Sequence, residues 1–81
     1  MKPRVTLYTR AGCCLCVDAK QVIEAARRRA EFEYCEVDID SEAELVRLYN
    51  DEIPVITING RKAFKYRIEM NEFLKKLAAS I

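Results

Sequence analysis

The pattern of apolar residues changes period at Gly12, and a group of cysteines stands right at the change. Before it, Arg4 to Thr9 (RVTLYT) is rich in β-branched and aromatic residues and reads as a strand. After it, Leu15, Ala19, Val22, Ile23, Ala26 and Ala30 fall at offsets of 4, 7, 8, 11 and 15, the spacing of one helix face. The later segments repeat the theme. Phe32 to Val37 reads as a second strand, and Ser41 with Glu44 three positions on forms a capping box that opens a helix running to about Tyr49. Pro54 closes the next loop, and Val55 to Ile58 is a third strand. Asn59-Gly60 is a strong hairpin signal, because both turn positions need positive φ, and it leads into a fourth strand from Lys62 to Tyr66. Met70, Phe73, Leu74, Leu77, Ala78 and Ile81 then mark a last helix.

The expected order is β-α-β-α-β-β-α, an α/β fold with a four-stranded mixed sheet and helices on both faces. The first half is a βαβ unit with parallel strands; the second is a hairpin followed by a helix. Periodicity alone also fits another small α/β sandwich. With 81 residues, positions 1–81 make one domain.

Fourteen Lys and Arg against thirteen Asp and Glu leave a net charge of +1, so no strong field draws in nucleic acid or an anionic membrane. The run Arg27-Arg28-Arg29 reads as the solvated end of a helix, where cations complement the dipole. The N-terminal MKPRVTLYT lacks the apolar stretch of a signal peptide, and no segment reaches the roughly 18 apolar residues of a membrane span. The expectation is a cytoplasmic monomer. Structural disulfides are rare in that compartment, so four cysteines call for chemistry or metal. Histidine is absent, which excludes any imidazole base or ligand.

Cys13-Cys14-Leu15-Cys16 holds one Cys-X-X-Cys pair at the strand-to-helix junction. Residues three apart on a helix lie about 5–6 Å apart at Cβ, near enough to close a disulfide with little adjustment. The first helical turn also offers free N–H groups and the positive end of the dipole, which stabilise a thiolate. Cys13, at the very start, gains most from that field and is the more exposed. Cys16, one turn in, is shielded and placed to resolve a mixed disulfide. Arg10, three residues upstream, brings a positive charge near the pair. Cys14 projects from another face, and Cys35 reads as a small buried hydrophobe in its strand. A zinc ribbon needs a second pair at similar spacing, and the chain has none.

TLYTRAGCCLC resembles the active-site segment of glutaredoxin-like proteins, and Ile53-Pro54 stands where thioredoxin-fold proteins carry a residue followed by a cis-proline. The element order resembles that of the compact glutaredoxin-like family over nearly the whole chain. The resemblance implies a thioredoxin-like fold, with Cys13 as nucleophile, Cys16 as resolving thiol and Pro54 as a cis-proline that guides substrate. Arg10 matches a basic position, usually lysine, that glutaredoxins place near the thiolate. Two features depart from the pattern. Cys14 replaces the usual proline, and Ala63 to Ile68 replaces the Gly-Gly and aspartate that hold glutathione's γ-glutamyl end. Weak glutathione binding is therefore expected, with a thioredoxin-type dithiol reductant preferred to glutathione. Lys65 and Arg67 read as a solvated face, the sharper alternative being a hold on a substrate carboxylate.

The expected activity is thiol–disulfide exchange with a protein or small-molecule disulfide, without a cofactor. Electrons come from a thioredoxin-type or glutathione reductant, and Cys13 and Cys16 are catalytic. Arg10, Ile53 and Pro54 are the expected substrate-binding residues, with the backbone of Ile53 pairing with an extended substrate. Two other readings stand beside it. One is a zinc or iron–sulfur module held by Cys13 and Cys16; the other is a redox-inactive adaptor on the same fold.

Overall fold

The computed structural model describes residues 2–79. Three helices and a short 3-10 turn surround a four-stranded sheet. β1 (Arg4–Thr9) runs into α1 (Cys14–Ala26), then β2 (Glu33–Asp38), the 3-10 turn η1 (Ile39–Ser41) and α2 (Ala43–Tyr49). β3 (Val55–Ile58), β4 (Arg61–Lys65) and α3 (Met70–Ala79) complete it. The strand order is β2-β1-β3-β4. β1 pairs parallel with β2 and antiparallel with β3, and β3 pairs antiparallel with β4. The expected α/β order and mixed sheet are present, though the expected end of the last helix at Ile81 lies outside the described residues.

The two central strands carry the core. Val5 and Leu7 of β1 and Ile56 and Ile58 of β3 face α1 and α3, which contribute Ala19, Ile23, Ala26, Phe73 and Leu77. Phe32 meets Phe73 edge to face with ring centroids 5.6 Å apart. Alternation turns Thr6, Tyr8, Val55 and Thr57 to the other face. There the Tyr8 ring lies 4.7 Å from that of Tyr49, which places α2 over the carboxyl end of β1. Helices thus lie on both faces, but α2 has only seven residues, about 10 Å of helix, and shields only part of its face.

That short reach corrects one expectation. Cys35 is exposed, not buried: it pairs with Thr6 on edge strand β2, two residues short of the Tyr8 level that α2 covers. A second correction concerns α1, whose buried stripe is Cys16, Ala19, Ile23 and Ala26, while Leu15 is 39% exposed. The helix begins a residue earlier than its apolar pattern suggests, and Cys16 takes the place in the stripe expected of Leu15. A third concerns the expected capping box. The Ser41 hydroxyl donates to the Asp38 carbonyl at 2.6 Å, closing η1, and so does not cap α2. Glu42 takes the N-cap position without a side-chain bond, and Glu44 pairs with Arg47.

The hairpin forms as expected, with φ of 53° at Asn59 and 83° at Gly60. Asn59 also ties the turn to β1: its side-chain oxygen accepts from the Arg4 N–H at 2.8 Å, and its own N–H donates to the Arg4 carbonyl at 2.7 Å. β4 stops at Lys65, one residue before the expected end, because Tyr66 turns to φ 68°. From there the Tyr66 N–H donates to the Pro54 carbonyl at 2.9 Å, fastening the segment after β4 to the loop before β3. Glu69 starts α3, its carboxylate accepting from the N–H groups of Asn71 and Glu72.

Candidate active site

The loop Arg10–Cys13 leaves the carboxyl end of β1, and Gly12 turns it at φ 81°, a conformation that L side chains rarely adopt. Cys13 then occupies the N-cap of α1 with extended backbone. Its Sγ accepts the N–H of Cys16 at 3.2 Å, one of the donors that a helix start leaves without an intrahelical partner. Cys13 and Cys16 are joined by a disulfide, their Cα atoms 5.2 Å apart. Cys13 is half-buried and Cys16 only 4% exposed, so the two sulfurs differ in access in the sense their order suggests. Cys14 carries a free, exposed thiol beside them.

A cleft of about 630 Å³ opens beside the pair, walled by the Thr9–Cys14 loop, by Cys16, Val17 and Lys20 of α1, and by Glu36 and Asp38 of β2. Ile53 and Pro54 stand on the other side of β1. The β1–β3 register ends at Tyr8–Val55, so Pro54 comes level with Thr9, at the sheet end that carries Cys13. Pro54 is fully buried and its bond to Ile53 is cis; Ile53 is half-buried. The cysteine pair therefore lies between the β2-side cleft and the Ile53-Pro54 loop.

Arg10 reaches the cleft, but its charge is engaged. Its Nε donates to both oxygens of Asp40 at 3.1 Å, and a terminal nitrogen donates to Asp40 Oδ1 at 2.8 Å. The other terminal nitrogen donates to the Asn50 side-chain oxygen at 2.7 Å. These bonds hold the Asp40 carboxyl below the usual carboxylate range and keep the guanidinium charged. Arg10 also accepts the Cys13 N–H on its carbonyl at 3.3 Å. One residue thus joins the Cys13 loop to η1 and to the end of α2. Neither Asp40 nor Asn50 is visible as a site residue in the sequence, since they lie 30 and 40 positions away and belong to no motif. Lys65 and Arg67 are exposed, and neither lines this cleft. Among the described residues no group of three or more Cys, His, Asp or Glu side chains could hold a metal ion.

A β2-β1-β3-β4 sheet with a cysteine pair opening α1 and a cis-proline at the same end places the protein in the thioredoxin-fold class. Within it, residues 4–78 match the glutaredoxin-like domain family (DUF836), and the chain belongs to that family. An uncharacterized protein of Mycobacterium tuberculosis is 26% identical over 84 residues, covering 98% of this chain and 87% of that protein. The solution NMR structure of a Nitrosomonas europaea protein is similar at 25% identity and a TM-score of 0.83, covering 95% of this chain and 93% of that one. An X-ray structure of an X. campestris protein shares 29% identity with a TM-score of 0.78, covering 95% and 99%. Reduced Schistosoma mansoni thioredoxin superposes with a TM-score of 0.73 at 19% identity, over 99% of this chain and 80% of that one, a likeness of fold. A thioredoxin-like fold with a cysteine pair at the start of its first helix points to redox chemistry.

Proposed function

We propose that this protein is a thiol–disulfide oxidoreductase or electron carrier in which Cys13 attacks and Cys16 resolves. The observation that carries the reading is the bond from the Cys16 N–H to Cys13 Sγ, made at the N-cap of α1 beside an open cleft. That donor and the positive end of the helix favour negative charge on the same sulfur when the pair is reduced. The Cys13 thiolate attacks one sulfur of a substrate disulfide, forming a Cys13–substrate disulfide and releasing a thiolate. Cys16 then gives up its proton to water and attacks Cys13 Sγ. This closes the internal disulfide and releases the second substrate thiolate, so that two electrons pass from the dithiol to the substrate.

The substrate is a protein or small-molecule disulfide, and the reductant a thioredoxin-type dithiol or glutathione, the dithiol being faster. The setting is the cytoplasm, in electron transport and redox homeostasis, with the protein acting as a monomer. Two features support the preference for the dithiol: Tyr66 and Arg67 place exposed side chains after β4, and Arg10 is already paired with Asp40. With both reductants set to the same potential, opening of the Cys13–Cys16 disulfide should be faster with the dithiol protein. Faster opening by glutathione would make glutathione the donor.

The roles are tested by substitution. Cys13→Ser should abolish exchange, and Cys16→Ser should accumulate a mixed disulfide on Cys13, seen as a mass adduct by intact mass spectrometry. Alkylation of the reduced protein at neutral pH should label Cys13 first. Labelling of Cys14 or Cys16 ahead of it would reverse the assignment.

A further inference from the structure

Two cations line the cleft beside the dithiol, and both are spent on carboxylates of the protein itself. Lys20 Nζ lies 3.1 Å from Glu36 Oε2, and Arg10 is held by Asp40 through three hydrogen bonds. Glu36 stands in the cleft wall with its lysine, and Asp38 adds a further carboxylate to that wall. Asp38 also acts on Arg10 through space, so the guanidinium feels two acids. Taken together, Arg10 and Lys20 face Glu36, Asp38 and Asp40, an excess of one negative charge around the place where a substrate disulfide must enter.

We infer that Asp40 sets the charge selectivity of the dithiol: by occupying Arg10 it leaves a cleft that accepts cationic and neutral disulfides and disfavours anionic ones. The inference rests on the exchange reading above and adds the class of substrate. Asp40 does not touch the substrate. It acts through Arg10, whose fork of donors would otherwise be free to take a substrate carboxylate. The geometry suits that role. Asp40 sits in the short η1 turn, where its N–H donates to Asp38 Oδ1 at 2.9 Å, so its carboxylate is presented to Arg10 by a closed local turn. Asn50 holds the remaining face of the guanidinium at the end of α2. Three of the five N–H groups of Arg10 are thus engaged, and its charge is matched by that of Asp40.

Three disulfides with the same –CH2–S–S–CH2– centre and different charge form the test: cystamine (cationic), bis(2-hydroxyethyl) disulfide (neutral) and glutathione disulfide (anionic). The full chain is reduced with dithiothreitol and freed of it. Oxidation of Cys13 and Cys16 by each probe is then followed by quenching and mass spectrometry. Each rate is divided by that with the neutral probe in the same variant, which removes any general change in the reactivity of Cys13. Wild type should favour cystamine over glutathione disulfide.

Asp40→Asn should raise the relative rate with glutathione disulfide by about two- to fivefold, the scale of one exposed charge pair, and lower that with cystamine. The gain should shrink at 1 M salt, where the screening length falls to about 3 Å. In Asp40→Asn with Arg10→Gln the gain should vanish, because the freed guanidinium is its source. Unchanged ratios in Asp40→Asn, or a gain that survives loss of Arg10, would overturn the inference while leaving the exchange reading intact. Wild-type dithiol that reacts with none of the three probes would overturn both.

Discussion

At the scale of single residues, the pairing of charges decides more here than their number. Arg10 lies next to the cysteine pair in sequence, and proximity alone suggests a cation for the thiolate. Its bonds to Asp40 and Asn50 make it a brace between the loop, η1 and α2. The hydrogen bonds from Arg10 lower the Asp40 carboxyl, so the pair stabilises the fold at pH values above the ordinary aspartate pKa of about 3.9. That contribution disappears as pH falls through the lowered folded value. Comparing urea midpoints of wild type and Asp40→Asn from pH 7 to pH 2 should show a gap that closes at the acid end. Glu52, lowered chiefly by its hydrogen bond from Lys62, should behave alike in Glu52→Gln. A gap that persists at pH 2 would mean that Asp40 acts through something other than its charge. Burial, aided by Glu36, raises Tyr34 instead, so that phenol stays protonated through this range.

At the scale of elements, the starts and turns differ in how well they are closed. α1 is capped by Cys13 and α3 by Glu69, but α2 begins at Glu42 with no side-chain bond to its free N–H groups. The Glu42 backbone is already extended, as an N-cap requires, so Glu42→Ser should add about 1 kcal/mol of stability. The β3–β4 turn makes the opposite point. Gly60 at φ 83° has open space where a methyl would stand, with no atom within 4 Å, so Gly60→Ala suffers backbone strain alone and should cost about 1 kcal/mol. Urea denaturation with unchanged slope would report both values. A Glu42→Ser protein no more stable than wild type would show that η1 already satisfies the start of α2.

For the molecule as a whole, one aromatic residue joins the two halves of the chain. Phe73 of α3 is fully buried and touches both Phe32, just before β2, and Phe64 of β4. Phe73→Ala should cost about 3–5 kcal/mol. An 81-residue domain has only about 4–12 kcal/mol in total, so the thermal midpoint should drop by roughly 15 °C or more. Leu48→Ala, on the exposed side of α2, should stay within about 0.5 kcal/mol. Equal losses from the two would mean that α2 carries as much of the core as α3.

What the sequence determined by itself is what depends on near neighbours along the chain. The turn at Asn59-Gly60, the cysteine pair at the first turn of α1 and the β-α-β-α-β-β-α order each follow from local backbone conformation and the spacing of apolar residues. Only the tertiary structure decided the rest. Cys35 is exposed because α2 is too short to reach it. Arg10 meets Asp40 across 30 residues because β1 and β2 lie side by side and end together. Local periodicity records which side of an element is apolar. It does not record how far a neighbouring element extends, or which charges two strand ends bring together.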